Sequence, residues 1–442
     1  MTQLRWAAGL ILLALAHGAI AQLTLHQAEA EAFEHNPQIR MANARTREAS
    51  AAQNETRAMW LPHVDVNESV ISSNNPVFVF GSLLEQGRFG AANFDPHFLN
   101  SPSVLRNYRF GLNARYTIFD QFRRLESTRR AANGVAQSDA ASDEARQAVR
   151  LDVMSKFYGL LLSQARHDVA VEAVRTAESD ASAMREKFNQ GFLVESDALA
   201  AEVQVASFQQ QEIEAAGGVV IARASLNAAI GRDIDSETVV QGELRASIAT
   251  ARSISAADAA SKRGEVRAAQ LAKTNANLQL QVARGSMLPR VDTFATWGAS
   301  GPTFGSRNGD RTIGAVVSFD IFDGGKFSRV SEAAANVEQA RAAEDAARSK
   351  VEIEIVAASE HVRSAAQRIV VAEAAVKQAT AAARIVRDRY EQGLTTITEH
   401  LHAQTALVSA KLNLLSARYD YVIGSADLAR ATGDLNDVAP FE

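Results

Sequence analysis

Residues 326–392 contain neither glycine nor proline. They are rich in Ala, Glu, Arg and Val, a composition that favours unbroken helix. At about 1.5 Å per residue such a helix runs for roughly 100 Å. Its small and apolar positions are Val351, Ile355, Ala358, Val362, Ala365, Ile369, Ala372, Val376, Ala379, Ala383, Val386 and Tyr390, and their spacings alternate between four and three. A repeat of this kind is a coiled-coil seam. Gly393 ends the run, as glycine does where a helix closes in the left-handed conformation. Thr398-Glu399 then reads as the start of a return helix, a hydroxyl to cap and a carboxylate near the positive end of the dipole. The return helix has its own seam at Leu401, Thr405, Val408, Leu412, Leu415, Tyr419, Val422 and Ala426, so the expectation is an antiparallel coiled-coil hairpin. Its alanines allow close approach of helix axes, which suits a wall of many helices better than an isolated pair.

The same plan occurs twice. Trp60-Leu61-Pro62-His63-Val64-Asp65 recurs as Met287-Leu288-Pro289-Arg290-Val291-Asp292, and Tyr116-Thr117-Ile118-Phe119-Asp120 as Phe319-Asp320-Ile321-Phe322-Asp323. Phe188-Asn189-Gln190-Gly191 recurs as Tyr390-Glu391-Gln392-Gly393, in the same order in both halves. The separation between copies shortens between the first match and the second, which places extra residues of the first half between Pro62 and Tyr116. A repeated unit of this size is one structural element used twice. In the first copy the seam passes through Val149, Val153, Lys156, Leu160, Ser163, His167, Ala170, Val174, Ala177, Ala181, Met184 and Phe188, a noisier version interrupted by polar residues, and Ser196-Asp197 reads as the start of the return helix.

Helices alone fit a soluble fibrous coiled coil equally well, because a heptad fixes only supercoiling. The strands separate the readings. Phe110, Leu112, Ala114, Tyr116 and Ile118 alternate with polar residues, as do Ile313, Ala315, Val317, Phe319 and Ile321 in the second copy, and period two with one apolar face is a strand. Weaker alternation after Pro62 and Pro289 adds one strand per half, giving strands at about 63–72, 108–119, 290–298 and 312–322. These have the length of tilted membrane-spanning strands, about 10 residues. Too few short strands are present for a soluble sandwich. Four spanning strands leave two open edges that lipid cannot satisfy, and closed barrels need about eight strands or more. Several chains must share one barrel; two, three or four copies all satisfy this requirement.

The ends and composition add bounds. Arg5, the apolar run Trp6–Ala16 and Ala19-Ile20-Ala21 form a secretory signal, so residues 1–21 are expected to be cleaved. No later segment reads as apolar enough for a transmembrane helix. The chain has no Cys, which excludes an acylated N-terminal Cys and thiolate metal sites. The net charge of -5, with both signs spread along the chain, argues against nucleic acid. There is no phosphate-binding glycine loop, nucleophile elbow or Cys-His pair. His400 and His402 beside Glu399 resemble a metal cluster, but residues two apart on a helix face different ways. Neither an enzyme nor a cofactor is expected.

Helix, strand, loop, strand, long helix and return helix, repeated once, resembles the TolC or outer-membrane efflux protein family. Ile321-Phe322-Asp323-Gly324-Gly325, Arg389-Tyr390-Glu391-Gln392-Gly393 with Leu401, and Asn36-Pro37 carry the likeness. Asp320 stands where the family has Pro, and Gln121-Phe122 where it has Gly-Gly. The resemblance implies a mainly α, mixed fold with an internal duplication: a homotrimer of four strands each, making a 12-stranded barrel continued by an α-helical tunnel. It divides the mature chain into a first repeat at 22–231 with a hairpin at 123–231, an equatorial linker at 232–253, a second repeat at 254–433 with a hairpin at 326–433, and a tail at 434–442. It implies an outer-membrane location in contact with lipid and a helical part in the periplasm. The implied partners are a periplasmic adaptor and, through it, an RND, ABC or MFS pump of the inner membrane, in an efflux or type I secretion system. A periplasmic adaptor is the competing class, but adaptors flank a single hairpin with compact β-domains.

In the family the tunnel closes at its periplasmic tips. The matching positions are Tyr390, Thr395, Glu399 and His402 in the second half and Ser196 with Asp197 in the first. Carboxylates of Glu399 and Asp197, repeated around a pore, would favour cations. Thr395 replaces the arginine of the family's best-known lock and His402 stands where a second carboxylate occurs, so a weaker lock sensitive to His402 protonation near pH 6 is expected. The ordinary reading of these residues is capping and exposed surface. Gly191, Leu193, Gly393 and Leu394 are the expected adaptor contacts, because apolar residues at a tip need a partner surface. The segment from Pro76 to Pro102 holds Phe78, Phe80, Phe89, Phe94 and Phe98. So many aromatics are ill suited to open water, and as an outer loop the segment is expected to fold over or into the barrel mouth.

Overall fold

A computed structural model describes residues 22–244, 255–433 and Leu435. The expected signal at 1–21, part of the linker and almost all of the C-terminal tail lie outside these residues. The described elements are helices α1 (Leu25–His35) and α2 (Pro37–Ala58), strand β1 (His63–Ser73), helix α3 (Pro76–Glu85), a 3₁₀ turn (Ala91–Phe94), helix α4 (Pro96–Asn100) and strand β2 (Leu105–Phe119). There follow helices α5 (Arg123–Asn189), α6 (Glu195–Ile230), α7 (Ala256–Lys262) and α8 (Gly264–Gly285), strands β3 (Arg290–Thr303) and β4 (Ser306–Ser318), and helices α9 (Gly324–Glu391) and α10 (Ile397–Thr432). Two compact units result. One comprises the described residues up to Ala42, Ser142–Arg263 and those from Ser349 onward; the other comprises Asn43–Ala141 and Gly264–Arg348.

In the second of these units the strands form one antiparallel sheet in the order β1-β2-β3-β4. Val66, Leu112, Trp297 and Arg311 stand opposite one another across it, as do Val64, Ala114, Ala295 and Ile313. Paired residues share a face. Val64, Val66, Val70, Leu112, Tyr116, Trp297 and Ile313 therefore occupy one face, and all are exposed. The opposite face carries Asp65, Asn67, Asn113, Arg115, Thr117 and Asp292, tied by Asn113 Nδ2 donating to Asp65 (2.8 Å) and Thr117 Oγ1 donating to Asp292 (2.7 Å). The strands extend beyond their alternating cores because backbone pairing continues where side-chain alternation lapses. The two-residue connection Phe304-Gly305 lets β3 and β4 pair to Thr303 and Ser306. β4 also stops at Ser318, short of the expected end at 322. Beyond it, Asp320 binds Lys326 (3.1 Å) as the chain turns towards α9.

The other unit is helical. Its core joins Leu25 and Ala28 of α1, Val149, Val153, Phe157 and Leu160 of α5, Leu226 and Ile230 of α6, and Val422 and Ala426 of α10. Every α9 seam residue from Val351 to Tyr390 is buried or half-buried. On α10 the seam is differently employed from the expectation. Val408 packs with Ala173, Val174, Ala177 and Phe208, and Leu415, Tyr419 and Val422 join the core built on α5. A second stripe, with Ala417 and Tyr421, faces Ala365 and Ile369 of α9. A helix packed against two neighbours needs two buried stripes, and one heptad describes only one of them.

One expectation fails on composition. α6 contains an 18-residue stretch with mean hydropathy 1.3, long and apolar enough to cross a membrane on that measure. Its Ile213, Val220 and Ile221 are exposed, whereas Leu226 and Ile230 are buried in the helical core.

Candidate functional site

The two hairpin turns are built alike. Gly191 (φ 82°) and Gly393 (φ 72°) adopt the left-handed conformation, and an added Cβ would meet nothing within 4 Å, so glycine is required there by backbone conformation and not by crowding. Phe192 N–H bonds Lys187 C=O (2.9 Å) and Leu394 N–H bonds Arg389 C=O (2.8 Å), the two-ended closure of a helix on a left-handed residue. Phe192 is therefore the counterpart of Leu394, and both are exposed, as is Val194. Leu193, expected at the surface, turns inward instead. It packs on Ala181, Met184, Ala201 and Ile397, because the residue after the closure points back at the helix pair.

Neither return helix begins as expected. The N-cap of α10 is Thr396, whose hydroxyl accepts from Glu399 N–H (3.3 Å), and not Thr398. In α6 the cap position is Val194, with no side-chain bond. Ser196 lies inside the first turn, with its hydroxyl 3.5 Å from Asp197. Each return helix begins two residues earlier than polar residue type alone suggests. Glu195 and Asp197 still place two carboxylates at the positive end of α6.

Glu399 is exposed and accepts a hydrogen bond from the Thr395 hydroxyl. His402 is exposed as well. Tyr390 is half-buried, and its hydroxyl is shielded from water with no hydrogen-bond partner, so it makes no bond to Asp197. Burial, then the charges of Asp197 and Asp180, raise the Tyr390 phenol above its ordinary range. Tyr390 lies flat on the ring of His400, with centroids 5.4 Å apart and 9° between planes.

His400 is the residue that sequence reasoning passed over as a structural site. It is 2% exposed, and its Nε2 lies 2.9 Å from Asp180 Oδ2 on α5. Gln404, one turn further along α10, donates to the same oxygen and lies 3.1 Å from His400 Nε2. The sequence signal was present in the spacing of Ile397, His400 and Gln404, which share one face of α10. A cleft of about 340 Å³ opens beside this group, lined by Lys187, Arg387, Glu391, Tyr390 and His400 among others. No group of three or more metal-ligating side chains occurs among the described residues.

The aromatic segment of the sheet unit is helical. Asn75 caps α3, with Pro76 in its first turn, and Asp95 caps α4 in the same way. The C-terminal end of α3 lies on the polar face of the sheet. Glu85 is bound by Arg109 (3.0 Å) and by the Ser300 hydroxyl (3.1 Å), and its carbonyl accepts from Asn308 (3.0 Å). Gln86 donates to Asn107 (2.9 Å), and Arg109 also pairs with Asp310 (3.2 Å). Val79 and Leu83 are buried, and Phe78 and Phe98 are half-buried. Phe80, Phe89 and Phe94 form an edge-to-face chain with centroids 4.8 and 5.1 Å apart, and Phe94 remains 66% exposed.

Duplicated long hairpins, each turning at a left-handed glycine, and one antiparallel sheet with an exposed apolar face define a mainly helical fold class with a small sheet. The chain belongs to the outer membrane efflux protein family, whose model matches residues 28–232 and 256–434. It is similar to the fusaric acid resistance protein FusA of Burkholderia cepacia, with 25% identity over 308 residues, 68% of this chain and 55% of that protein. It is also similar to the outer membrane protein TolC of Escherichia coli, with 26% identity over 184 residues, 38% of this chain and 37% of that protein. The chain thus spans about half the length of the first of these relatives and less of the second. Its fold matches CusC with a TM-score of 0.81 at 17% identity, covering 93% of this chain and 92% of that one. It matches VceC of Vibrio cholerae with a TM-score of 0.78 at 20% identity, covering 92% and 96%.

Proposed function

We propose that this chain is one protomer of a homotrimeric outer-membrane channel that conducts substrates passively. They would arrive from an inner-membrane pump of the RND, ABC or MFS type through a periplasmic adaptor, in efflux or type I secretion. The sheet carries the proposal: its apolar face is exposed, its opposite face is polar, and β1 and β4 each present an unpaired edge. In hydrocarbon such edges must be paired, and pairing β1 of one copy with β4 of the next closes a barrel of 12 strands in three copies. Exposed Phe192, Val194 and Leu394 form the adaptor contact, with Leu193 supporting it from within. Tyr390, Glu399 and Asp197 belong to the periplasmic aperture. α3, seated on the polar face, narrows the outer mouth. The name of the Burkholderia relative supports a small organic compound as cargo, since that protein is named for resistance to one. The adaptor alternative has no place for an exposed apolar sheet.

The test uses the absence of native cysteine. One cysteine in β1 and one in β4 are introduced together, and membranes are oxidised. A shared barrel yields a covalent ladder that stops at three chains, and the purified protein forms ion-conducting pores in planar bilayers. A cysteine pair that never cross-links between chains, in a protein that stays monomeric without detergent, removes the proposal.

A further inference from the structure

α3 is apolar on two sides. Val79 and Leu83 are buried, and its C-terminal end is bonded to the polar face of the sheet through Glu85 and Gln86. Val77, Phe80, Gly81 and Leu84 recur at the spacing of one helix stripe and form the other side, where Val77 is 81% and Leu84 51% exposed. A helix that is apolar all round belongs in an interior, yet this stripe has no cover among the described residues. Gly81 sharpens the contrast. Glycine inside a helix costs roughly 1 kcal/mol relative to alanine, and an added Cβ there would meet nothing within 4 Å, so no described neighbour in the chain requires it. A small residue on a helix face is what lets another helix come close.

Position supplies the neighbour. α3 follows the end of β1, at the end of the sheet opposite the strand junctions with α2, α5, α8 and α9, and it is bonded to the face opposite Val64, Leu112 and Ile313. With the apolar face in lipid, α3 stands inside the barrel at its outer mouth. Twelve strands about 4.8 Å apart and tilted by about 40° enclose a lumen with a radius of roughly 12 Å to the backbone. A helix with its side chains is about 10 Å across, so three helices seated on the wall reach the axis.

We infer that the exposed stripe of α3 is covered by the α3 helices of two sister copies, so that Val77, Phe80, Gly81 and Leu84 of three chains meet as an apolar seal across the outer mouth. This rests on the channel reading and deepens it, from a mouth that is narrowed to one that is shut at rest. Around a threefold axis each residue of the stripe lies nearest its own copies, so apolar groups meet apolar groups. An apolar constriction excludes water and ions by dewetting. The seal opens when the stripes part, while each α3 stays tethered, to β1 by Asn74-Asn75 and to the wall by Glu85 and Gln86.

Single cysteines in the otherwise Cys-free, full-length chain test this. Val77→Cys and Leu84→Cys are made separately, and outer membranes are treated with an oxidant or a short thiol cross-linker. Each is expected to give covalent pairs of chains and nothing larger, since every chain then carries one thiol. Ile313→Cys, on the opposite face of the sheet, should stay single. Single-channel recording is the second readout. Wild type should conduct weakly, Leu84→Asp, which sets three carboxylates against one another in an apolar contact, should conduct several-fold more, and Leu84→Met should keep the wild-type value. If Leu84→Asp does not assemble, the cysteine variants decide. Absence of pairs from both Val77→Cys and Leu84→Cys overturns the seal, as do pairs equally abundant in Ile313→Cys or an assembled Leu84→Asp channel with wild-type conductance; water or cargo then faces the stripe. In the same membranes the β1 and β4 cysteine pair should still give its ladder of three chains, and loss of that ladder would strike the channel reading instead.

Discussion

Gln121 and Phe122 both sit at positive φ, 63° and 67°, and neither is glycine. A left-handed residue with a side chain costs roughly 1–2 kcal/mol, so this strand-to-helix junction is strained unless its surroundings hold it. Arg124 does so. Its guanidinium donates to the carbonyls of Thr117 (2.6 Å), Ile118 (3.3 Å) and Met59 (3.4 Å), pairs with Asp120 (3.1 Å) and lies over the rings of Trp60 and Tyr116. Arg124→Ala is expected to cost about 3 kcal/mol, because it removes a buried guanidinium from the half-buried Asp120 carboxylate and from three backbone carbonyls and releases a strained turn. Lys326→Ala at the corresponding junction of the second half should cost under about 1 kcal/mol, since Asp320 is exposed. Denaturant unfolding in detergent compares the two, and equal losses would mean that the first junction stores no strain. Tyr390 supplies the pH-dependent case. Its phenol is raised, so the contribution of the neutral form is complete below the ordinary tyrosine range near pH 10 and is lost as pH climbs through the higher folded value. Tyr390→Phe loses no bond, because the hydroxyl has no partner. It should remain within about 0.5 kcal/mol of wild type at neutral pH and resist alkaline loosening of the tips. Melting curves at about pH 8 and about pH 11 read this out, and a large neutral loss would reveal a hydroxyl bond not seen here.

The elements differ in how much of them could be read from the chain. The α9 seam was legible to the residue, because alternation of four and three over so many turns marks one stripe, and each of its residues is buried or half-buried. The α10 seam was legible as a stripe but not as to its partner. A heptad records that a face is covered without recording by which helix, and here α5 and α9 each take one face. The same limit hid His400. A histidine among polar neighbours looks like surface until Asp180, far away in sequence, is seen to face it. Asn75-Pro76 and Asp95-Pro96 are helix-start signals that the count of phenylalanines between Pro76 and Pro102 obscured, so a segment read as an aromatic loop proves to be two capped helices. The anchoring of α3 makes the next prediction. Arg109 is the only described residue that pairs with both Glu85 and Asp310, so Arg109→Ala leaves two carboxylates facing each other beside the helix end. α3 should then lift from the sheet. Limited proteolysis of the assembled protein is expected to spare the stretch from Phe78 to Phe98 in wild type and to cut it several-fold faster in Arg109→Ala, as for a segment that has lost its docking bonds. Rapid cleavage of wild type in that stretch would count against a docked α3.

At the scale of the whole molecule the decisive property is the solvent of the sheet. Ile313 is 83% exposed on the apolar face, and Thr312, its neighbour on β4, points to the polar face. The two differ by one position along the strand and by side of the sheet, so they share backbone, register and distance from the edge. If the apolar face meets hydrocarbon, Ile313→Arg adds a charge one step along the same face from Arg311 and, in lipid, should cost up to about 2–4 kcal/mol near the midplane, falling towards zero at the interfaces. Thr312→Arg puts the same charge on a face already bearing Arg115, Asn113 and Asp65, where water is available, and should be within about 0.5 kcal/mol of wild type. A sheet lying in water reverses nothing and predicts two nearly silent changes, since exposed apolar residues tolerate charge. The measurement is the amount of heat-modifiable oligomer recovered from outer membranes for each variant, with unfolding in detergent-free liposomes as the energetic readout. Loss for Ile313→Arg alone assigns the apolar face to lipid; equal recovery of both variants would leave the edges of β1 and β4 with no need for sister copies.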